Sequence, residues 1–341
     1  MILVTGSTGL VGSHLIYDLL SEGFQVKALV RKSSDKYRIL RTFKFYTSNP
    51  EQLFNKIVWV EGDVTDLISL EEAFTDVEKV YHTAAFVSFN HKDKKKIFDV
   101  NVDGTANIVN LCLDKAIKKL CFVSSIAALG VTDDDSLITE DVLWKPVKNS
   151  SPYSVSKFKS EMEVWRGITE GLNAVIVNPS VILGPGYWKN SGASVFRMVE
   201  KGFPFYTLGT TGFVDVKDVS KAMIMLMESA ITNDRFIVSS ENLSYKSFFE
   251  IAANSLQVKS PHIQLSPFMA GVAWRFERIR SYFFFSSPKI TKDTVGIAFK
   301  KLMYSSEKIK SSLTIDLKPI ESIINDLYAY YLKSKKNNQL D

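Results

Sequence analysis

The stretch MILVTGSTGLVG, residues 1–12, joins a short apolar run to three glycines. The run is aliphatic and is typical of a buried β-strand. Apolar residues then recur at helical spacing from Leu10 to Leu20, and Gly23 ends that pattern. The stretch therefore predicts a strand, a tight glycine turn and a helix, in that order.

The glycine turn has the features of a phosphate-binding loop. Gly6 permits the tight turn, Gly9 lets the backbone approach a pyrophosphate, and Gly12 lets helix and strand pack closely. Free N–H groups at the helix N-terminus then face the anion. The G-x-x-G-x-x-G spacing is one residue longer at its start than the usual dinucleotide fingerprint. Its position between a strand and a helix predicts dinucleotide binding by the whole turn: Gly6, Ser7, Thr8, Gly9, Leu10, Val11 and Gly12.

The alternation of strand and helix continues to about residue 180. Further candidate strands are 25–30, 56–62, 79–85, 119–125 and 173–179, and helical stretches lie around 67–74, 98–116 and 154–170. Apolar strands that alternate with amphipathic helices predict a parallel sheet covered on both faces. The right-handed crossover rule makes this an α/β protein with a Rossmann-type doubly wound sheet.

The pattern beyond residue 180 is broken by glycines and prolines. We predict a dinucleotide-binding domain over 1–180, to which 213–240 returns, with the segment DRFIVSS (234–240) at the sheet edge. Residues 181–212 and 241–330 are predicted to form a smaller, irregular substrate-binding lobe over the carboxyl ends of the strands, where ligands of such sheets bind. Residues 331–341 are interpreted as a solvated polar tail.

Composition excludes several classes of protein. The chain of 341 residues is 45% hydrophobic and 23% charged, with a net charge of +5, which is ordinary for a globular protein. Its basic residues form no stripe with interleaved aromatics, so we expect no nucleic-acid partner. No secretory signal or bilayer-length apolar run is visible, so we expect no membrane span and a cytoplasmic location. Cys112 and Cys121 have apolar neighbours and are interpreted as core residues of a protein in a reducing compartment.

The end of the second strand bears on the choice of cofactor. NAD sites usually place an acidic residue there to bind the ribose 2′-hydroxyl, but residues 30–34 read VRKSS. Arg31 is suited to a 2′-phosphate, so the loop favours NADP, with NAD as the alternative. Asp63, after the third strand, is expected near the adenine amino group. Ala84 and Ala85, after the fourth, give the cofactor small neighbours.

Several further motifs accompany the glycine turn: GDVTD (62–66), YHTAA (81–85), FVSSIAALG (122–130), YSVSK (153–157), NPSVILGPG (178–186) and FVDVKDVS (213–220). In this order they resemble the extended short-chain dehydrogenase/reductases, or NAD-dependent epimerase/dehydratase superfamily. The resemblance is greatest to the dihydroflavonol-4-reductase-like branch and covers residues 1 to about 220. It implies an oxidoreductase that acts on a small molecule and commonly forms a homodimer.

The resemblance also implies roles for individual residues. Tyr153 is the catalytic acid/base, Lys157 its partner, Ser125 the active-site hydroxyl with Ser124 as the fallback, and Asn101 part of a proton relay. It adds to the expected cofactor contacts Val64, Thr83, Ala84, Ala85, Pro179 and Ser180, together with Tyr153 and Lys157.

The Y-x-x-x-K spacing is chemically sensible in its own right. Positions i and i+4 share one face of a helix, so the two side chains are neighbours. The positive charge of Lys157 favours the phenolate and lowers the pKa of Tyr153. Tyr153 could then donate a proton to a carbonyl oxygen as hydride reaches the carbon, while Ser125 holds that oxygen.

A reductase and a nucleotide-sugar epimerase or dehydratase would share this site. Enzymes of the second kind typically carry Arg and Asn where this chain has Asn178 and Val181, and a further arginine near 209–213, where no cation stands. A diphosphate needs such cations, and Arg197 could supply one. Aromatic residues favour an uncharged substrate instead, and the expected pocket wall with Ser125 is Phe86, Phe89, Tyr187 and Trp188.

Two further features are interpreted from the sequence. His82 is predicted to be a packed strand residue and His91 a surface residue, and no metal site is expected. The apolar segment 267–285 is interrupted by arginines. It is interpreted as lobe core or a subunit contact, with a surface that touches lipid or an apolar substrate as the alternative.

Overall fold

A computed structural model describes residues 1–132, 135–145, 150–188, 192–283 and 291–336. Its strands are β1 (Ile2–Thr5), β2 (Val26–Val30), β3 (Val58–Glu61), β4 (Lys79–His82), β5 (Lys119–Val123), β6 (Ala174–Pro179), β7 (Val181–Leu183), β8 (Phe205–Tyr206), β9 (Thr210–Asp215), β10 (Asp234–Val238), β11 (Glu241–Ser244) and β12 (Ile263–Gln264).

The α-helices of the same residues run along the whole chain. They are α1 (Leu10–Ser21), α2 (Tyr37–Phe43), α3 (Pro50–Phe54), α4 (Leu67–Ala73), α5 (Lys94–Phe98), α6 (Gly104–Asp114), α7 (Pro152–Thr169), α8 (Ser194–Glu200), α9 (Val216–Glu228), α10 (Tyr245–Leu256), α11 (Pro267–Phe283), α12 (Lys292–Ala298), α13 (Glu307–Leu313) and α14 (Ile320–Lys336). A π-helical turn, Asp99–Asp103, joins α5 to α6.

The main sheet confirms the predicted fold class. Within the described residues it has seven strands in the order β10-β6-β5-β4-β1-β2-β3, and every neighbouring pair is parallel. The strand order reverses between β1 and β4, which is the point where doubly wound sheets bind their ligands. The residues of β1, β2 and β6 are buried throughout, as expected for strands covered on both faces.

Helices cover both faces of this sheet. On one face α1 packs against α9, and on the other α6 packs against α7. Each face has its own hydrophobic cluster, one around Leu15 and Met223 and the other around Ile108 and Val164. The packing of α6 against α7 occurs within one chain and does not test the expected homodimer, which stays a prediction.

The second half of the chain adds to the main sheet and builds a lobe beside it. The DRFIVSS segment forms β10, which pairs with β6 at the sheet edge. A smaller sheet has the order β11-β9-β7 within the described residues. Segment 307–315, which falls in the predicted lobe, places Ile309 and Ile315 in the core of the main sheet instead. The division into two domains stays a prediction.

The interpretation of residues 331–341 as a polar tail is wrong for its first part. Residues 331–336 are the last turns of α14, and the Tyr331 side chain is buried in the lobe core. Lys335 pairs with Glu200 at 2.5 Å, and Lys333 donates to the Lys44 carbonyl. The polar sequence therefore forms the solvent-facing side of an amphipathic helix. Residues 337–341 lie outside the described residues.

Helix α11 presents part of the apolar segment 267–285 to solvent. Phe268 is 80% exposed and Phe276 is 70% exposed, with Val272 exposed between them on the same helical face. These three side chains are therefore not part of the lobe core in the single chain. Residues 284–285 lie outside the described residues.

The glycine turn is fixed by contacts that leave no room for a side chain. Gly6 has a φ of +64°, in the left-handed region that favours glycine. A Cβ atom built on it would lie 2.5 Å from the Ala84 nitrogen, and one built on Gly12 would lie 2.4 Å from the Gly6 carbonyl oxygen. The turn thus holds β1, the start of α1 and the end of β4 in direct backbone contact.

We predict that Gly6→Ala lowers the free energy of unfolding by about 3 kcal/mol, because a strained φ and a backbone overlap add together. Gly23→Ala is the matched control, since Gly23 also has a positive φ, +87°, but its Cβ would meet no atom within 4 Å. That variant should lose only about 1 kcal/mol. Urea unfolding measures both values, and equal losses would show that the contact with Ala84 contributes nothing.

Candidate active site

The N-terminus of α1 lies open at the carboxyl edge of the sheet. Gly9 precedes the helix, and no side chain caps it. Ser7 instead ties the turn to β2 by donating to the Leu29 carbonyl at 2.6 Å, and Thr83 donates to the Thr5 carbonyl at 2.7 Å. The first N–H groups of α1 therefore stay directed outward from a rigid glycine turn, which fits the pyrophosphate of a dinucleotide.

A cavity of about 420 Å³ lies at the ends of β2 and β3. It is lined by Arg31, Asp63, Thr65, Lys96, Asp99, Val100, Asp103 and Asn107. Arg31 and Asp63 were both predicted to contact the cofactor, and the structure brings them to one cavity. The Asp63 carboxylate accepts from the Thr65 N–H at 3.0 Å and from its hydroxyl at 2.9 Å, which fixes its orientation.

The other predicted cofactor residues surround the same edge. Ala84 donates from its N–H to the Thr5 hydroxyl, and Ala85 is exposed. Val64 is buried beneath the cavity, where its carbonyl accepts from Asn107 at 2.9 Å. Pro179 and Ser180 are buried at the end of β6, and the Ser180 N–H donates to the Val238 carbonyl at 3.0 Å. This bond turns the chain from the main sheet toward the lobe.

Tyr153 lies in the first turn of α7. Ser151 caps that helix by accepting from the Ser154 N–H at 3.1 Å, and Pro152 occupies the first helical position. Burial raises the pKa of Tyr153, and a hydrogen bond with the Ser125 side chain acts in the opposite direction. Ser125 Oγ also accepts from the Ala127 N–H at 3.1 Å, so its hydroxyl proton remains available for Tyr153 or for a substrate oxygen.

Lys157 is almost fully buried, one turn beyond Tyr153. Its ammonium donates to the Val123 carbonyl at 2.8 Å and lies 4.6 Å from the centre of the Phe122 ring. Burial lowers the pKa of Lys157 to about 8, and the negative charge of Glu161 partly opposes this shift. The expected lowering of the Tyr153 pKa by Lys157 stays a prediction, since burial raises that pKa and the opposing contribution comes from Ser125.

Asn101 positions a loop by its side-chain hydrogen bonds. It lies in the π-helical turn and accepts from the Phe86 N–H at 2.7 Å while donating to the Phe86 carbonyl at 3.1 Å. It also donates to Ser156 on α7 at 2.9 Å. These bonds join the loop after β4 to the helix that carries Tyr153. The proton-relay role predicted for Asn101 stays a prediction.

The predicted pocket wall is only partly assembled. Phe89 lies edge-on to the Tyr153 ring at 5.8 Å, and Phe86 is partly buried in the same loop. The Tyr187 hydroxyl donates to the Thr8 carbonyl of the glycine turn. Tyr187 therefore lies against the glycine turn.

Trp188 does not line a pocket in this structure. Its side chain has no exposed surface and packs edge-on against Tyr331 at 5.2 Å in the core of the lobe. The expectation for Trp188 is corrected accordingly, since a side chain enclosed by the lobe core cannot contact a ligand without a rearrangement.

The sequence did not single out two charged residues behind the site. Glu161, one helical turn after Lys157, is buried and pairs with Arg235 of β10 at 2.9 Å. Arg38 of α2 lies 5.4 Å from the Tyr187 ring, close to the glycine turn. A signal for Glu161 was present, because a carboxylate at i+4 from a buried lysine lies on the same helical face.

His82 is buried, as predicted, between the hydroxyls of Thr5 at 2.7 Å and Thr105 at 3.0 Å. The side chain of His91 lies outside the described residues. Over the described ranges, no group of three or more His, Cys, Asp or Glu side chains is arranged to hold a metal ion. None of the helices in that part of the chain has the length and apolar character needed to cross a membrane.

The model of the NAD dependent epimerase/dehydratase family matches residues 2–238. The chain belongs to that family. It is an NAD(P)-dependent enzyme of the extended short-chain dehydrogenase/reductase type, as the sequence resemblance indicated.

Individual members of the family differ in the reactions that their names describe. A protein of Synechocystis sp. with the provisional name dihydroflavonol 4-reductase is 28% identical over 96% of this chain and 93% of its own. Cinnamoyl-CoA reductase 1 of Petunia hybrida is 28% identical over 74% of this chain and 76% of its own. A UDP-glucose 4-epimerase from Thermotoga maritima has a TM-score of 0.77 over 98% of this chain and 99% of its own, but at 20% identity it shows the fold alone.

The burial of His82 gives a prediction about pH. Burial lowers the pKa of His82 to about 3, and the charge of Lys157 adds to the effect. A folded-state pKa below the unfolded value of about 6.5 means that the stabilisation is present above pH 6.5 and is lost as the pH falls. His82→Gln should therefore remove about 1.4 kcal/mol per pH unit from the slope of the unfolding free energy between pH 6.5 and 5.

The comparison with the native chain isolates His82 from other groups. His14, whose pKa burial also lowers to about 3, gives the same sign, and Asp215, whose pKa burial raises to about 6, gives the opposite sign. Both are present in native chain and variant. The control is His262→Gln, which removes an exposed histidine. Urea unfolding at several pH values gives the slopes, and parallel slopes for native chain and His82→Gln would contradict the prediction.

Proposed function

We propose that this enzyme is an NADP(H)-dependent oxidoreductase that reduces a ketone or an aldehyde, or oxidises the corresponding alcohol, with Tyr153 as the acid/base. The observation that carries the proposal is the hydrogen bond between Ser125 and Tyr153, with the buried Lys157 one helical turn away and a glycine turn that fits a dinucleotide at the same sheet edge. The reductase names of the two sequence relatives agree with it.

The chain's own groups supply positioning and a proton. The cofactor, when bound, supplies the hydride. Tyr153 donates its phenolic proton to the carbonyl oxygen of the substrate, and Ser125 donates a hydrogen bond to the same oxygen. Lys157 stabilises the phenolate that remains, because its ammonium is held in a site of low dielectric. The loop that Asn101 fixes carries Phe86 and Phe89 to this side of Tyr153, where they exclude water from the reacting carbonyl.

At the described positions where epimerases carry the cations that bind a nucleotide diphosphate, this chain has none. Asn178, which stands where epimerases carry arginine, is fully buried and donates to the Ser125 carbonyl at 3.0 Å. Arg197 acts electrostatically on Glu200, which also bonds Lys335 and Tyr331. The backbone of Thr210–Gly212 forms a strand that pairs with β11. These placements support an uncharged substrate.

A nucleotide-sugar epimerase or dehydratase that retains NAD(P) is the second candidate. It is supported by the shared fold of the Thermotoga maritima epimerase and by the family itself. Such an enzyme would turn over a sugar nucleotide with no net consumption of added cofactor.

We predict that Tyr153→Phe lowers kcat for NADPH-dependent carbonyl reduction at least about a hundredfold, because the proton donor is lost. NADPH absorbance with a panel of aldehydes and ketones gives the rates. Tyr81→Phe is the control, since it removes a buried hydroxyl for which the described residues offer no hydrogen-bond partner. Undiminished turnover by Tyr153→Phe would refute the acid/base role. Conversion of a UDP-sugar without cofactor consumption would select the second candidate.

We propose further that the cofactor is NADP, since Arg31 lines the cavity at the end of β2 and residues 30–34, which end that strand, contain no carboxylate. Arg31→Ala should raise the Kd for NADPH about tenfold or more and leave the Kd for NADH nearly unchanged, because only NADPH carries the 2′-phosphate. Protein fluorescence follows both titrations. Lys32→Ala, which removes the adjacent exposed cation, is the control for general loss of charge. Equal weakening of NADPH and NADH by Arg31→Ala would favour NAD.

A further inference from the structure

Glu161 is the centre of a buried polar network behind the active site. One carboxylate oxygen accepts from Ser124 at 2.6 Å and from Asn178 at 2.8 Å. The other accepts from Arg235 at 2.9 Å. The exposed fraction of the Glu161 side chain is 1% and that of Arg235 is 13%. A charge pair buried to this degree is costly unless its remaining donors and acceptors are satisfied. Those of Glu161 and Arg235 have partners, whereas the amide oxygen of Asn178 has none among the described residues.

The network extends from the β10 edge strand to the loop before α7. The Arg235 guanidinium also donates to the Glu140 carbonyl, through Nε at 2.9 Å and through Nη2. The Glu140 carboxylate accepts from the Ile237 N–H at 2.7 Å, in the same strand as Arg235. The position of Glu161 is thus set in part by Arg235, which lies 74 residues away in the sequence.

The same network fixes Ser125. Ser124, its neighbour in the chain, donates to Glu161, and Asn178 bridges Glu161 and the Ser125 carbonyl, at 2.8 Å and 3.0 Å. Both restraints on the backbone of Ser125 therefore end on one carboxylate oxygen. Loss of that oxygen's charge would loosen the hydroxyl that faces Tyr153.

The network also acts on Lys157. Glu161 follows Lys157 by one turn on the same helical face, and its negative charge favours the charged form of the lysine against the effect of burial. His82, on β4, is buried and neutral near Lys157, and Tyr153 is the titratable group on the other side. Arg235 and Glu140 lie beyond Glu161. Glu161 is therefore the negative charge that favours the protonated form of Lys157 against the effect of burial.

We propose that Glu161, held by Arg235, is a positioning residue of this site, which fixes the Ser125 backbone and maintains the positive charge of Lys157. The edge strand β10 is then part of the catalytic apparatus although it contributes no group that touches the substrate. This inference rests on the proposed acid/base role of Tyr153 for its effect on rate, but its effect on Lys157 can be measured without a substrate.

The experiment follows the titration of Lys157 directly. Protein with ¹³C-labelled lysine is titrated by NMR in the absence of substrate, and the Lys157 signal is assigned by its loss in Lys157→Met. The native signal should titrate near pH 8. In Glu161→Gln it should titrate at lower pH, because the balancing charge is gone. Glu163→Gln, on the same helix but paired with Arg166 at the surface, should leave the Lys157 titration unchanged.

A double variant separates the positioning role from a purely structural one. Glu161→Gln alone leaves the Arg235 charge buried and unpaired, so its Tm should fall. Glu161→Gln with Arg235→Gln removes both charges and should recover most of the Tm. The low titration of Lys157 should remain, and kcat above pH 8 should stay about tenfold below that of the native enzyme.

Two results would overturn the inference. One is a Lys157 titration that does not change in Glu161→Gln. The other is a double variant in which both Tm and the pH profile of kcat return to native values, since Glu161 would then serve only to pair with Arg235. If the native protein turns over no carbonyl compound while Lys157 still titrates lower in Glu161→Gln, the proposed function fails and the effect on Lys157 stands.

Discussion

The close backbone contact of Gly6 with the end of β4 is the constraint on which the other features of the site depend. It brings the carboxyl ends of β1 and β4 together where the strand order reverses. The turn leaves the first N–H groups of α1 uncapped, and the loop after β4 begins beside it. A side chain at Gly6 would separate these elements, because the overlap is with backbone atoms that have no alternative rotamer. The anion site and the wall beside Tyr153 are therefore consequences of one turn.

A second constraint is the burial of the Lys157 ammonium. A lysine in such surroundings tends to lose its proton, and burial alone moves its pKa toward neutrality. The Val123 carbonyl, the Phe122 ring and the Glu161 charge oppose that tendency. Lys157 is then charged near neutral pH yet close to its own pKa. A cation in this condition can stabilise the phenolate of Tyr153 strongly, because little water screens the interaction.

Both candidate functions would use the same glycine turn, Tyr153 and Lys157. They would differ in the residues that contact the substrate. Asn178 illustrates the difference, since it faces inward to Ser125 and Glu161 and not toward a substrate phosphate. The Asn178 amide thus bonds the Ser125 carbonyl and the Glu161 carboxylate, and it does not point toward a substrate diphosphate. Beyond β6, the Tyr187 hydroxyl bonds the glycine turn. Farther along the chain, α11 exposes an apolar face.

The sequence by itself determined the doubly wound sheet, the glycine turn and the placement of Tyr153 and Lys157 one turn apart on a single helix. Each is a local pattern: the period of apolar residues distinguishes strand from helix, and a spacing of four places two side chains on one helical face. Only the tertiary structure decided that Trp188 lies in the lobe core, that residues 331–336 complete an amphipathic helix, and that Arg235 pairs with Glu161. These outcomes depend on contacts between residues far apart in the chain. No local period encodes them, because the partner that buries or neutralises each side chain is supplied by the fold.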